Sequence, residues 1–149
     1  MKINKDDIKR LRKAFYGIHS QIVTISKEIG YKSNLLWFLY ALDSDELKSQ
    51  KQICDEWHMT KTTLNTLVKE CEVLGYVKLK HIKGEKREKH ILLTELGKKY
   101  MINALDKLYS IEEKALLNMN NHNDFINNLE SFYNNLQLSY KDNCKENIT

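Results

Sequence analysis

Apolar residues recur at Ile8, Leu11, Phe15, Ile18, Ile22, Ile25 and Ile29, and these spacings of three and four predict one long helix with a single apolar stripe, ending near Gly30. A denser group follows, Leu35, Leu36, Trp37, Phe38, Leu39, Tyr40 and Leu42, between the cap-competent Ser33 or Asn34 and the polar Asp43-Ser44-Asp45. Being apolar nearly all round, it predicts a buried helix. Ser49 can cap a short helix carrying Ile53, Cys54 and Trp57, and after His58-Met59 the hydroxyl of Thr60 can cap another. That helix sets Leu64, Leu67, Val68, Cys71 and Leu74 on one face and Lys61, Thr62, Asn65, Thr66 and Lys69 on the other, with Gly75 placed to end it. Two short helices joined by about three residues, the second with a small polar and basic face, form a helix-turn-helix pattern. His58 falls in the turn, where a left-handed backbone is often required and His accepts it better than most. An ordinary αα-hairpin is the bland reading of the same spacing.

The period then shortens. Tyr76, Val77, Leu79 and Ile82 interleave with Lys78, Lys80 and His81, close to the alternation of a half-buried strand. A polar tip over residues 83–89 and a second short strand, His90-Ile91-Leu92-Leu93, complete a hairpin with a glycine in its loop. Thr94 can cap a long helix with Leu96, Tyr100, Ala104, Leu108, Ile111 and Ala115 on one side and Met101, Leu105 and Leu116 flanking them. Residues 118–124 read as a linker, and Phe125, Leu129, Phe132, Tyr133, Leu136 and Tyr140 predict a last helix before a polar tail that frays from Lys141. The expected fold class is mainly α: four helices, a strand, a wing, a strand and two further helices. Residues 33–97 form the winged helix-turn-helix lobe, and 1–30 with 98–140 the dimerisation helices, of one domain spanning 1–149.

Composition narrows the function. At 149 residues the chain suits one domain with a real core, and zero Pro with five Gly removes the punctuation that a β-sandwich needs. No apolar run approaches the roughly 20 residues of a membrane span, and the first residues lack a signal-peptide core, so a cytoplasmic location is expected. Three widely spaced cysteines, Cys54, Cys71 and Cys144, suggest reduced thiols. Cys54 and Cys71 fall on the apolar faces of their helices, where core packing is the expected role. The five histidines show no ligand spacing, so no metal and no cofactor are expected. No nucleophile elbow or phosphate-binding glycine loop suggests an enzyme. Charge is informative only locally. Residues 78–89 hold six basic and two acidic side chains, a net +4 equal to the excess of the whole chain.

These parts suit a DNA-binding dimer. A recognition helix needs short polar and basic side chains near its N-terminus to enter the major groove, and Thr60, Lys61, Thr62, Thr63, Asn65, Thr66 and Lys69 supply them. A wing needs cations, here Lys83, Lys86 and Lys89, and a flat guanidinium for a narrow minor groove; Arg87 is the only arginine there. The long apolar stripes near both termini exceed what the DNA-binding lobe needs to cover itself. A two-fold homodimer would bury them and set two recognition helices about 34 Å apart, matching a palindromic operator in double-stranded DNA.

Over residues 47–97 the sequence resembles the MarR family of bacterial transcriptional regulators. The resemblance rests on Ser49-Gln50-Lys51-Gln52-Ile53, on Lys61-Thr62-Thr63-Leu64-Asn65-Thr66-Leu67-Val68 followed by Leu74-Gly75-Tyr76-Val77, and on the wing with Leu93-Thr94-Glu95-Leu96-Gly97. Arg87, seven residues before Thr94, corresponds to the arginine that similar proteins insert into the minor groove, and Glu85 stands where an Asp usually braces it. The resemblance implies a homodimeric regulator, usually a repressor, released in some members by a small aromatic or phenolic effector. In similar proteins aromatics of the first two helices and of the helix after the wing face the effector cleft, making Phe15, Tyr16, Trp37, Tyr40 and Tyr100 the candidate lining, with core packing as the alternative. Competing readings are a transcriptional activator with the same DNA-binding mode and a winged-helix protein-interaction module.

Overall fold

A computed structural model of the chain describes residues 3–44, 46–81 and 88–146, those from 143 onward by their backbone alone. The chain divides into two compact units, residues 1–109 and 110–149, each described by itself.

Unit 1 opens with α1 (Lys5–Glu28), capped by the Asn4 side chain accepting from the Asp6 amide, with Asp6 and Asp7 complementing the positive end of the helix dipole. It ends as a Schellman turn. Gly30 takes φ +87°, and the Gly30 and Tyr31 amides donate to the carbonyls of Lys27 and Ser26. This turn leaves Lys32 extended, so α2 (Ser33–Leu42) starts directly after it. Neither Ser33 nor Asn34 is the cap: Ser33 is already helical, and the cap position is Lys32, with no side-chain bond. The expected burial holds, since Leu36, Phe38, Leu39, Ala41 and Leu42 are all buried.

The two-residue strand β1 (Lys48–Ser49) leads into α3 (Gln50–Trp57) through a capping box. Ser49 Oγ accepts from the Gln52 amide at 3.2 Å while Gln52 Oε1 accepts from the Ser49 amide at 2.8 Å. His58 then turns the chain with φ 53°, as the helix-turn-helix spacing predicts, and Thr60 caps α4 (Lys61–Val73). A second Schellman turn closes α4, with Gly75 at φ +74° and Tyr76 N donating to Cys71 O. The helix stops at Val73, so Leu74 does not complete its apolar face but stands largely exposed.

β2 (Val77–His81) and β3 (Lys89–Leu93) pair antiparallel from Val77 opposite Leu93 to His81 opposite Lys89. β1 adds to the other edge of β3, Ser49 opposite His90, giving the order β1-β3-β2. β1 was not expected from the sequence, because two residues are too few to show an alternation. Residues 82–87, the tip between β2 and β3, lie outside the described residues.

α5 (Glu95–Leu117) follows, and its buried line runs through Gly97, Met101, Ala104, Leu105 and Leu108. That line is rotated from the expected one: Leu96 and Ile111 are exposed, while Met101 and Leu105, expected to flank, face the core. The cause is the start of the helix, which turns the Gly97 side toward Tyr76. Around the buried helix α2 the core gathers Ile53 from α3, Leu64, Leu67, Val68 and Cys71 from α4, Val77 and Ile91 from the sheet, and the α5 residues. Each fully buried leucine there contributes about 1.5–3 kcal/mol.

Unit 2 holds the end of α5 and α6 (His122–Glu146). The linker is shorter than expected, because Asn121 caps the helix by accepting from the Asp124 amide at 3.1 Å. The helix also continues past Lys141, where fraying was expected. Phe125, Leu129, Phe132, Leu136 and Tyr140 form a stripe along it, all exposed in the single chain.

Candidate nucleic-acid interface

The sequence singles out seven residues at or in α4, and the structure divides them by role. Thr60 and Thr63 turn to each other: Thr60 Oγ1 accepts from the Thr63 amide at 3.1 Å and lies 2.9 Å from Thr63 Oγ1. Both hydroxyls serve the cap. Lys61, Thr62, Asn65, Thr66 and Lys69 are exposed at helical spacing on one face. Thr66 Oγ1 donates to the Thr62 carbonyl at 3.0 Å, so it presents its methyl group and lone pairs outward.

An open cleft of about 380 Å³ lies against the start of this face, lined among others by Gln50, Lys51, Lys61, Asn65 and Lys89. Three cations from three elements thus share one rim, with Glu88 the carboxylate among its lining. The starts of α3 and α4 meet at the same place, and free amides at helix N-termini favour anions. Across the cleft Gln50 Nε2 donates to Asn65 Oδ1 at 3.5 Å. Gln50 and Lys51 were not among the residues expected at the site. The signal was present, since the capping box Ser49-Gln50-Lys51-Gln52 places both in the first turn of α3.

Lys78 and Lys80 alternate outward along β2, beside the hairpin tip. The wing residues Lys83, Glu85, Lys86 and Arg87 lie outside the described residues; of the expected wing cations only Lys89, at the start of β3, is described.

The five residues expected to line an effector cleft are not gathered in one place. Trp37 and Tyr40 stack at 6.2 Å between ring centroids, and Tyr40 also meets Trp57 and, edge-on at 5.0 Å, Tyr109. Tyr100 belongs to another cluster, stacked on Tyr76 at 4.2 Å with Tyr31 edge-on. Burial first, then the neighbouring Tyr31, Tyr76 and Cys71, raise the pKa of its phenol. Phe15 is half-buried and Tyr16 fully open on α1. A second cleft, of about 370 Å³ beside Leu42, Leu47 and Leu93, is lined by none of the five.

The cysteines also separate. Cys71 is buried, and desolvation, followed by the negative charge of Glu70, pushes its pKa up to about 11. Cys54 is half-buried and lines the basic cleft. Iodoacetamide at neutral pH is expected to leave Cys71 unmodified in the native protein; labelling of Cys71 at the rate of a free thiol would contradict its burial. Because its folded pKa is raised, Cys71 stabilises the protein fully below the ordinary thiol value and loses that contribution as pH rises from about 9 toward about 11. Among the described residues no group of His, Cys, Asp and Glu could hold a metal ion, and no helix is long and apolar enough to cross a membrane.

Comparison with known proteins agrees with this architecture. A model of the MarR family matches residues 32–88, from the residue before α2 to the residue before β3. No curated protein sequence matches the chain. Among solved structures, NMB1585, a MarR family regulator from Neisseria meningitidis, superposes with a TM-score of 0.80 at 18% identity, covering 95% of this chain and 99% of that one. The regulator BldR from Sulfolobus solfataricus gives 0.74 at 16% identity over 90% and 99%. A MarR regulator from Methanosarcina mazei Go1 gives 0.67 at 21% identity over 91% and 94%. The resemblance read from the sequence therefore holds over residues 32–88, which match the MarR family model, and the chain shares the mainly helical fold of solved MarR family regulators.

Proposed function

We propose that the chain is a cytoplasmic, sequence-specific DNA-binding transcriptional regulator, not an enzyme, acting as a homodimer on a palindromic operator, most simply as a repressor. The observation that carries this reading is the exposed face of α4, where Lys61, Thr62, Asn65, Thr66 and Lys69 stand beside Lys51 and Lys89. On this reading α4 enters the major groove, lysines of α3, α4 and the hairpin meet phosphates on either side, and Arg87 reaches the adjacent minor groove. The apolar stripe of α6 is the surface that a second copy covers. Release by a small aromatic or phenolic effector, with Trp37 and Tyr40 as candidate contacts, belongs to the same proposal.

The test compares single substitutions for affinity and salt dependence. Each phosphate-contacting lysine, Lys51, Lys61 or Lys89, changed to Ala is expected to reduce the salt slope by about one unit per contact. Arg87→Ala should cost more than any single lysine, because minor-groove insertion is lost along with a charge. Equal, negligible effects of all four would contradict the reading. Thermal-shift screening with aromatic acids tests the effector; absence of any stabilised complex would count against it.

A further inference from the structure

Four aromatic rings from three elements of unit 1 meet at one place on its surface: Trp37 and Tyr40 of α2, Trp57 at the end of α3 and Tyr109 of α5. Tyr40 is the ring that the other three share, at centroid distances of 6.2, 6.1 and 5.0 Å. Core packing does not account for the group. Of the four, Tyr40 is the one that packs against the hydrophobic core, while Trp57 and Tyr109 are 37% and 41% exposed. Large rings gathered together and left open to water mark a contact surface.

The charge beside these rings is negative. Asp43 ends α2, where the helix dipole already places partial negative charge, and the last turn of α2 has no basic residue. Residues 43–46 read Asp-Ser-Asp-Glu, three carboxylates and no base in a chain whose net charge is +4. Tyr109 Oη donates to Asp43 Oδ2 at 2.7 Å, which holds the carboxylate against the cluster and leaves it further acceptor sites. Among the described residues no lysine or arginine forms an ion pair with Asp43; Lys48, the next base along the chain, pairs with Glu56.

We propose that this cluster is a binding site for a hydrophobic organic cation, a quaternary ammonium or a planar aromatic cation, held over the open rings and neutralised by Asp43. The faces of Trp and then Tyr attract a cation within about 6 Å of the ring centroid, and more strongly as water is excluded. An anion would meet both the ring faces and Asp43 with the wrong sign. The proposal deepens the effector reading above by giving the charge of the compound that Trp37 and Tyr40 contact, and it rests on that reading only for the effect on DNA.

Both tryptophans of the chain belong to the cluster, so intrinsic fluorescence reports the site directly. The experiment titrates the full chain, without DNA and at constant ionic strength, with benzyltrimethylammonium, and with benzyl alcohol and benzoate as neutral and anionic counterparts of the same ring. A saturable change is expected, with the cation bound about tenfold more tightly than either counterpart. Asp43→Asn is expected to reduce that advantage to about threefold, and Trp57→Leu to weaken the cation about tenfold, with Trp37 still reporting. Trp57→Phe, which keeps a ring face, should recover most of the binding. Both positions are exposed, so these variants are expected to keep the wild-type unfolding midpoint. Equal affinity for the three compounds, tighter binding of benzoate, or cation binding undiminished in both Asp43→Asn and Trp57→Leu overturns the proposal and leaves the DNA reading untouched. A separate titration of the DNA complex tests the effector role: cation binding without release of DNA upholds the site and ends that role.

Discussion

Gly97→Ala is expected to lower the unfolding midpoint by about 10 °C, corresponding to a loss of at least about 3 kcal/mol. A Cβ at position 97 would stand 1.9 Å from the carbonyl oxygen of Tyr76 and 2.7 Å from its carbon, both backbone atoms with no side-chain freedom to yield. Neither side of the contact can retreat cheaply. The Tyr76 carbonyl accepts from the Thr94 amide at 2.9 Å and from Thr94 Oγ1 at 3.2 Å, and Thr94 Oγ1 also lies 2.6 Å from the Gly75 carbonyl. The same hydroxyl accepts from the Gly97 amide at 3.0 Å, capping α5. Thr94 and Gly97 therefore act as one clasp, joining the end of α4 to the start of α5 through the Gly75-Tyr76 turn. Thermal unfolding followed by circular dichroism checks this, and a midpoint within about 2 °C of wild type would show that the clasp can move aside.

On the proposed homodimer reading, the combined substitution Leu129→Glu with Phe132→Glu is expected to leave the chain a monomer and weaken binding to the proposed operator about 100-fold or more, since two half-sites are then engaged without the linkage that raises effective concentration. No described residue of α6 is buried, yet Phe125, Leu129, Phe132, Leu136 and Tyr140 repeat at spacings of three and four along about 22 Å of helix. A stripe of that length exposed to water marks an association surface. Placing two carboxylates at its middle makes pairing with an identical copy unfavourable, because each partner brings the same charges. Sedimentation equilibrium checks the mass and a binding titration the affinity. A doubly substituted protein that remains a dimer would place the interface elsewhere.

Much of the fold was legible because its local rules agree with its packing. The period along α1, the all-round apolarity of α2, the Ser49 and Thr60 caps and the left-handed His58 each leave a mark within a few residues. What escaped the sequence is set by longer-range contacts. The rotation of α5 follows from the clasp between Gly97 and Tyr76, 21 positions apart, and β1 exists because Ser49 meets His90 across the sheet. For the same reason the outward face of α4 could be read, whereas its neighbours Gln50 and Lys51 could be assigned only once α3 was seen against it. Aromatics foreseen as one group fall into two, because period alone does not tell which side of the core a helix presents.

The most direct test of the central claim is selection from sheared DNA of the source organism by the purified chain at about 150 mM salt, with bound fragments sequenced and wild type set against Arg87→Ala. The account predicts enrichment of a palindrome whose half-sites are about one helical turn apart, lost or strongly reduced in the variant. Recovery of no preferred sequence by the wild-type protein over a range of salt concentrations would contradict it.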